Sequence, residues 1–437
     1  MKPSVAKLTI EKYHINKILI VRPDALGDVI LTLPLAYELK QNFPNAQIYY
    51  LCSSYTKPLL DANPLVTGTI IDSLQKGSNL SAILSMITNL KKHKFDIVFH
   101  CYNELPYALL SFFAGIKIRV GDSSKLAPKF LHNRRVNQDF KNVSMHEVDL
   151  NLNLLKAIDI KPPIEGKFIL PSTPQINGEI YHQISKYSEY IVVHPGIGNG
   201  NRSWGVNNFR QLLLMLSKNG YNIVITGGAS ELQSNTLICQ DMDKTLNLTG
   251  KTSLLELAYV IERAKVFVSV DTGPMHLAAA YGVRVVVISP TKWVKPTRWG
   301  PYGVPNIVVK PEHPCPYRCF PYKCSKTFCL ENISISNIFT AIRNVTTIKE
   351  KSMEEIKRDW QAISLNILNL SNTDVSQKYS GYNIYNDYTE NLFNFIINND
   401  IAIIVVNNKT ISLWLITQFA AIFTYYPPKI VLRSQLL

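Results

Sequence analysis

Short, unbroken apolar runs alternate along the first 350 residues with segments whose apolar positions recur at helical spacing. Lys17-Ile18-Leu19-Ile20-Val21-Arg22 reads as a buried strand. Pro23 to Asp28 reads as a turn, and Val29 to Lys40 as a helix with one apolar face. Further runs near 47–52, 69–72, 96–100 and 117–120 predict strands, and a second series follows at 190–194, 221–226, 264–270 and 284–288. Strands alternating with helices predict an α/β fold.

The two series predict two Rossmann-like domains. The expected layout is an N-terminal domain over 15–170, a second over 171–350 and a C-terminal extension over 351–437. Pro171 to Asn177 reads as the connection between the first two. In the extension, Ser352–Leu370 reads as an amphipathic helix. Thr410 to Pro428 carries no charge and lies between strand-like runs at 401–406 and 429–432. A span needs about 20 apolar residues, so a buried helix in a strand–helix–strand piece is expected there rather than a membrane crossing.

Candidate chemistry sits where strands end. Gly27 and Asp28 follow the first strand and face the strand ends. Asp271-Thr272-Gly273 follow the strand at 264–270 and open an Ala-rich helix containing Pro274 and His276. The amides and dipole of such a helix start favour phosphate. After the strand at 190–194 come Gly196, Gly198 and Gly200, whose missing side chains let backbone N–H groups approach an anion, and then Arg202, a fixed positive fork. After Gly227-Gly228 stands Glu231, an acid placed for ribose hydroxyls.

These motifs, in this order, resemble glycosyltransferase family 9, the heptosyltransferases of lipopolysaccharide core synthesis. The residues that carry the resemblance are Arg22 with Gly27-Asp28, His194-Pro195-Gly196 with Arg202 and Trp204, Gly227-Gly228, and Asp271-Thr272-Gly273 with His276, Ala278 and Ala279. They cover roughly residues 15–345. The sequence departs from the family at Arg202, where members often carry Lys, and at Gly205, where they often carry Pro.

The resemblance implies a GT-B architecture, in which two Rossmann-like domains face a central cleft. It implies an ADP-heptose-like donor, a lipid-linked lipopolysaccharide core acceptor, and inverting transfer without a metal or other cofactor. Asp28 is then the expected general base, and Arg202 stabilises the departing diphosphate. Gly196, Gly198, Glu231, Asp271, Thr272, Gly273 and His276 are expected on the donor side and Arg22 on the acceptor side. A non-catalytic nucleotide-sugar scaffold and a nucleotide-sugar epimerase are the alternatives. A dehydrogenase is disfavoured, because Asn201 follows Gly196-x-Gly198-x-Gly200 where the dinucleotide fingerprint needs a further spacing.

Charge adds a partner. The formal net charge is +14, and residues 351–437 hold seven basic and seven acidic side chains, so the excess lies in 1–350. A basic body suits an anionic glycolipid or an anionic membrane surface. No basic block or aromatic-stacking motif points to nucleic acid. The N-terminal residues show no signal-peptide pattern and the seven cysteines suit a reducing compartment, so a cytoplasmic protein, peripheral on the inner face of the inner membrane, is expected. Cys315, Cys319, Cys324 and Cys329 form a possible zinc set, but their spacing lacks paired knuckles, and reduced thiols are the favoured reading.

Overall fold

A computed structural model describes residues 14–74, 80–124, 130–138, 145–172, 178–196, 204–289, 296–311, 329 and 332–348. The chain divides into two compact units, Met1–Thr346 and Thr347–Leu437. Both sheets belong to the first unit. Of the second, only Thr347 and Ile348 are described, so the expected Ser352–Leu370 helix and the 401–432 piece lie outside the described residues.

The first sheet holds β1 (Lys17–Val21), β2 (Gln47–Cys52), β3 (Gly68–Ile71), β4 (Ile97–His100), β5 (Ile118–Asp122) and β6 (Arg134–Val136). The second holds β7 (Ile191–His194), β8 (Ile223–Ile225), β9 (Thr245–Asn247), β10 (Val266–Val270), β11 (Val285–Ile288) and β12 (Asn306–Val309). Their spatial orders are β3-β2-β1-β4-β5-β6 and β12-β11-β10-β7-β8-β9, and every pairing is parallel. Numbered within its own sheet, the second repeats the order of the first. Each is a doubly wound sheet whose strand order reverses between two central strands, β1 and β4 in one and β7 and β10 in the other. Ligands bind in the crevice at that reversal, beyond the carboxyl ends of the strands.

The apolar runs form the central strands because helices cover both faces. One face of the first sheet packs Ile18, Ile20, Ile48, Tyr50 and Phe99 under helices Leu33–Asn42 and Glu147–Asn153. The other packs Leu19, Val21, Leu51 and Val98 under helices Leu80–His93 and Leu105–Phe113.

The helix expected over Val29 to Lys40 starts earlier and is broken. It runs as Leu26–Ile30 and then Leu33–Asn42. Pro34 has no N–H for the Ile30 carbonyl and its ring crowds that carbonyl, so the helix cannot pass through. Thr32 fills the gap with its hydroxyl, which donates to Val29 O at 2.7 Å.

The two halves interlock here. Leu26 and Ile30 belong to the first half in sequence but are buried in the core of the second, beside Met275, Leu277 and Ala278. Burying each such side chain is worth roughly 1.5–3 kcal/mol. In return Trp299 and Tyr302 leave the second half and pack on the core of the first.

Candidate active site

The short helix Leu26–Ile30 carries Asp28 in its first turn, just beyond the carboxyl end of β1. Asp28 is bonded to Arg22, whose Nη2 donates to Asp28 Oδ1. Arg22 is buried and extends in three directions. Its Nε donates to Asp24 Oδ1 at 2.8 Å, and its Nη1 donates to Cys101 O at 2.8 Å and to Glu147 Oε1 at 3.1 Å. Burial alone would lower the Arg22 pKa, but Asp24, Asp28 and Glu147 hold it above its ordinary value. The Asp28 side chain stays 21% exposed while that of Arg22 is 5% exposed. The carboxylate is therefore reachable and its counter-ion is not. Four of the five N–H donors of Arg22 are spent on protein oxygens, and it orients Asp28 from behind, a role the expected acceptor contact did not include.

The second half meets this helix at one point. A Cβ placed on Gly27 would lie 2.6 Å from His276 Cδ2 and 3.3 Å from Gly273 Cα. Helix Gly273–Ala280 therefore crosses Leu26–Ile30 with glycine against glycine, and only glycine permits that approach. The crossing brings Asp28 close enough to Asp271 to influence its carboxyl. Burial first, and then the Asp28 charge, push the Asp271 pKa up to about 6. Asp24 is also pushed up to about 6, by burial and Asp28 against the pull of Arg22. Asp28 thus influences a carboxyl on either side of it, Asp24 in its own half and Asp271 in the other.

The donor-side expectations fare differently from one another. Thr272 is the N-cap of its helix, and its Oγ1 is buried with no hydrogen-bond partner. Pro274 has no N–H, and Met275 N donates to Thr272 O at 3.1 Å, so the amides this helix start can offer are those of Thr272 and Gly273. Gly196 follows β7 with φ +62, and a Cβ there would lie 2.6 Å from Val270 Cγ2 and 2.8 Å from Thr272 Cγ2. The loop after β7 is thus pressed against the loop after β10.

Glu231 makes a contact within its own turn. It is buried, and its Oε2 accepts from Gly228 N at 2.7 Å, which ties it to its own turn. His276 lies in the crossing. Its ring is buried against Gly27, and burial, followed by the nearby His146, pushes its pKa down to about 3. Its Nδ1 is buried with no hydrogen-bond partner.

Gly198, Arg202, Cys315, Cys319 and Cys324 lie outside the described residues, as do 173–177 of the expected connection. Cys329 is buried and not disulfide-bonded. Among the described residues no three metal-ligating side chains converge, and no helix is long and apolar enough to cross a membrane. Gly205 has φ +95 and caps helix Val206–Lys218, a backbone that proline, fixed near −65°, cannot adopt. The departure from the family at that position is therefore built into the local backbone.

Sequence reasoning missed Asp24, Glu147 and Arg298. Glu147 is buried at the start of helix Glu147–Asn153, and Arg298 comes from the second half. Arg298 Nε and Nη2 donate to Glu147 Oε2 at 2.9 and 2.8 Å. Asp24 was within reach, since an Arg two residues before an Asp at a strand end signals a local ion pair. Glu147 and Arg298 stand 151 positions apart, and nothing local links them.

Residues 83–328 match glycosyltransferase family 9 (heptosyltransferase). The chain is 26% identical over 281 residues to lipopolysaccharide heptosyltransferase 3 of Escherichia coli K12, covering 60% of this chain and 78% of that protein. Among solved structures, a family 9 glycosyltransferase from Veillonella parvula superposes with TM-score 0.62 at 20% identity, covering 76% of this chain and 97% of that one. The E. coli ADP-heptose lps heptosyltransferase II superposes with TM-score 0.59 at 22% identity, covering 76% and 98%. The fold shared with these structures is the GT-B fold of two facing parallel α/β sheets.

Proposed function

The chain belongs to glycosyltransferase family 9, the heptosyltransferases, and on that premise we propose that it moves a heptose from ADP-heptose to a sugar hydroxyl of a lipid-linked lipopolysaccharide core acceptor, with inversion at the anomeric carbon. The observation that carries the reading is the glycine-on-glycine crossing. It sets the reachable carboxylate of Asp28, from the first sheet, beside Asp271 and Thr272, from the second. The names of the related proteins, which specify ADP-heptose and lipopolysaccharide, support the choice of donor and acceptor.

The chemistry follows from the positions. Asp28 accepts the proton of the acceptor hydroxyl as its oxygen attacks the anomeric carbon from the face opposite the phosphate. The bond between that carbon and the phosphate oxygen breaks, and ADP carries away the electron pair. Arg22 fixes the Asp28 carboxylate by its hydrogen bond. Charge growing on the diphosphate is met by the Thr272 and Gly273 amides at the start of an eight-residue helix, and by Arg202 from the glycine-rich loop after β7. These groups are the proposed substitute for a divalent metal. The positive excess of residues 1–350 suits attachment to an anionic membrane surface carrying the acceptor.

The test is to incubate the protein with ADP-heptose and a truncated core glycolipid and to read the products by mass spectrometry. One heptosyl residue should be added to the glycolipid, with ADP released in equal amount. An isomerised sugar nucleotide formed without acceptor, or no consumption of any ADP-sugar, would overturn the reading.

A further inference from the structure

Glu147 is a carboxylate shared by two guanidinium groups that come from different halves of the molecule. Its Oε1 accepts from Arg22 of the first half, and its Oε2 accepts both bonds from Arg298 of the second. It is 5% exposed, so neither oxygen is answered mainly by bulk water. Its backbone is clamped as well. The preceding residue, His146, accepts from Val148 N through Nδ1, so its proton is on Nε2, which donates to Gly300 O of the second half at 2.9 Å. One turn further on, Asp149 accepts from the Tyr302 hydroxyl at 3.0 Å. The start of this helix is thus pinned by three consecutive contacts with the segment 298–302.

Those contacts end on the catalytic carboxylate. Arg22 is held by Glu147 on one side and holds Asp28 on the other. A buried guanidinium with several anchors has one orientation, and losing an anchor frees it to rotate. We propose that Glu147 is a positioning residue for transfer: bridged to Arg298, it fixes Arg22 and through it the Asp28 carboxylate, so that the base is aligned only when the two halves are docked. The proposal rests on reading Asp28 as the base. It adds a role for two residues that the sequence motifs assign to neither donor nor acceptor.

The bridge differs from an ordinary stabilising ion pair in what its loss should change. Replacing a buried paired carboxylate costs stability wherever it stands. Only a positioning role lowers turnover while leaving donor binding intact. In Glu147→Gln the shape is kept, but the amide turns an N–H2 group toward one of the two guanidiniums, so one arm of the bridge fails. Arg298→Met cuts the same bridge from the other side, at a side chain 21% exposed, where the change is easier for the fold to bear.

The experiment measures kcat and KM for ADP-heptose at saturating acceptor, with melting temperatures, for Glu147→Gln, Glu147→Asp, Arg298→Met, the Glu147→Gln/Arg298→Met double variant and Asp28→Asn. In Glu147→Gln, kcat should fall about 10- to 100-fold, as expected for a misplaced catalytic group. KM should stay within about twofold, because donor contacts are untouched. Arg298→Met should act in the same direction. The double variant should be no slower than the slower single variant, because both changes break one bridge. Glu147→Asp should recover part of the loss. If both single variants are folded and keep kcat within about twofold of the parent while Asp28→Asn is inactive, the inference fails and the base reading stands. If Glu147→Gln only lowers the melting temperature, and Arg298→Met leaves kcat unchanged, the cluster is structural and the inference fails. If Asp28→Asn itself turns over normally, the base reading fails, and the inference fails with it.

Discussion

Gly27 and Gly273 touch across the junction of the two sheets: a Cβ on Gly273 would lie 3.0 Å from Leu26 Cβ and 3.1 Å from Gly27 N. At Gly273 the neighbours are backbone and a Cβ, which no rotation moves away, and at Gly27 the added carbon also meets the buried His276 ring. The crossing sets how closely the short helix carrying Asp28 approaches the loop carrying Asp271 and Thr272.

Gly273→Ala and Gly27→Ala should therefore both be destabilised, each by about 1–3 kcal/mol, the usual cost of overpacking. Activity should fall further than stability, because the crossing aligns the site. Gly178→Ala, where nothing lies within 4 Å of the added carbon, is the control and should unfold at the parent's denaturant midpoint. Equal midpoints for all three would show that the crossing tolerates a methyl group.

Acid should weaken the fold. His146 is pushed down to about 4 and His276 to about 3, both chiefly by burial, whereas in the unfolded chain a histidine titrates near ~6.5. Their contribution is present above about pH 6.5 and is lost as the pH falls toward the folded values, because the unfolded chain takes up protons that the fold refuses. Asp271 works in the opposite sense. Its raised pKa favours the fold at low pH, and that contribution is lost as the pH rises from about 4 through about 6. Asp271→Asn should therefore match the parent more closely at pH 4 and gain on it by pH 7, read as denaturant midpoints across the range. A gap that widens toward low pH would reverse the sign and contradict the burial of Asp271.

Arg202→Ala should weaken ADP binding by removing a charge-assisted contact to the diphosphate, while adenosine, which has no phosphate, should bind both forms equally poorly. Titration calorimetry measures both. ADP affinity unchanged by the substitution would remove Arg202 from the donor site. Turnover should also persist in EDTA, and activity lost to EDTA and restored by magnesium would contradict the metal-independent scheme.

The sequence displayed the sheet centres plainly and the edges poorly. β1, β7, β10 and β11 are mainly apolar runs because both of their faces are buried. β6 (Arg-Arg-Val) and β9 (Thr-Leu-Asn) are three-residue edge strands too short and polar to show a strand pattern, and β12 (Asn-Ile-Val-Val), though strand-like in composition, is a four-residue, half-buried edge. In the site, Asp28, Asp271, Thr272 and Gly273 stood out because strand-end motifs are local. The roles of Arg22 and His276 did not. Arg22 reads as an acceptor-side cation, and its ion pair with Glu147, 125 residues away, leaves no local trace. His276 looks like a ligand until Gly27 of the other half is packed on its ring.

Asp28 is the proposed general base, at a cleft formed by both halves. Asp28→Asn keeps the size and polarity of the side chain but cannot accept the proton. Its steady-state turnover of ADP-heptose with a core glycolipid acceptor, measured beside its ADP affinity, tests the claim most directly. The expected result is a loss in turnover of about 100-fold or more, the usual worth of general-base catalysis, with ADP affinity unchanged. Near-normal turnover in the folded variant would contradict it.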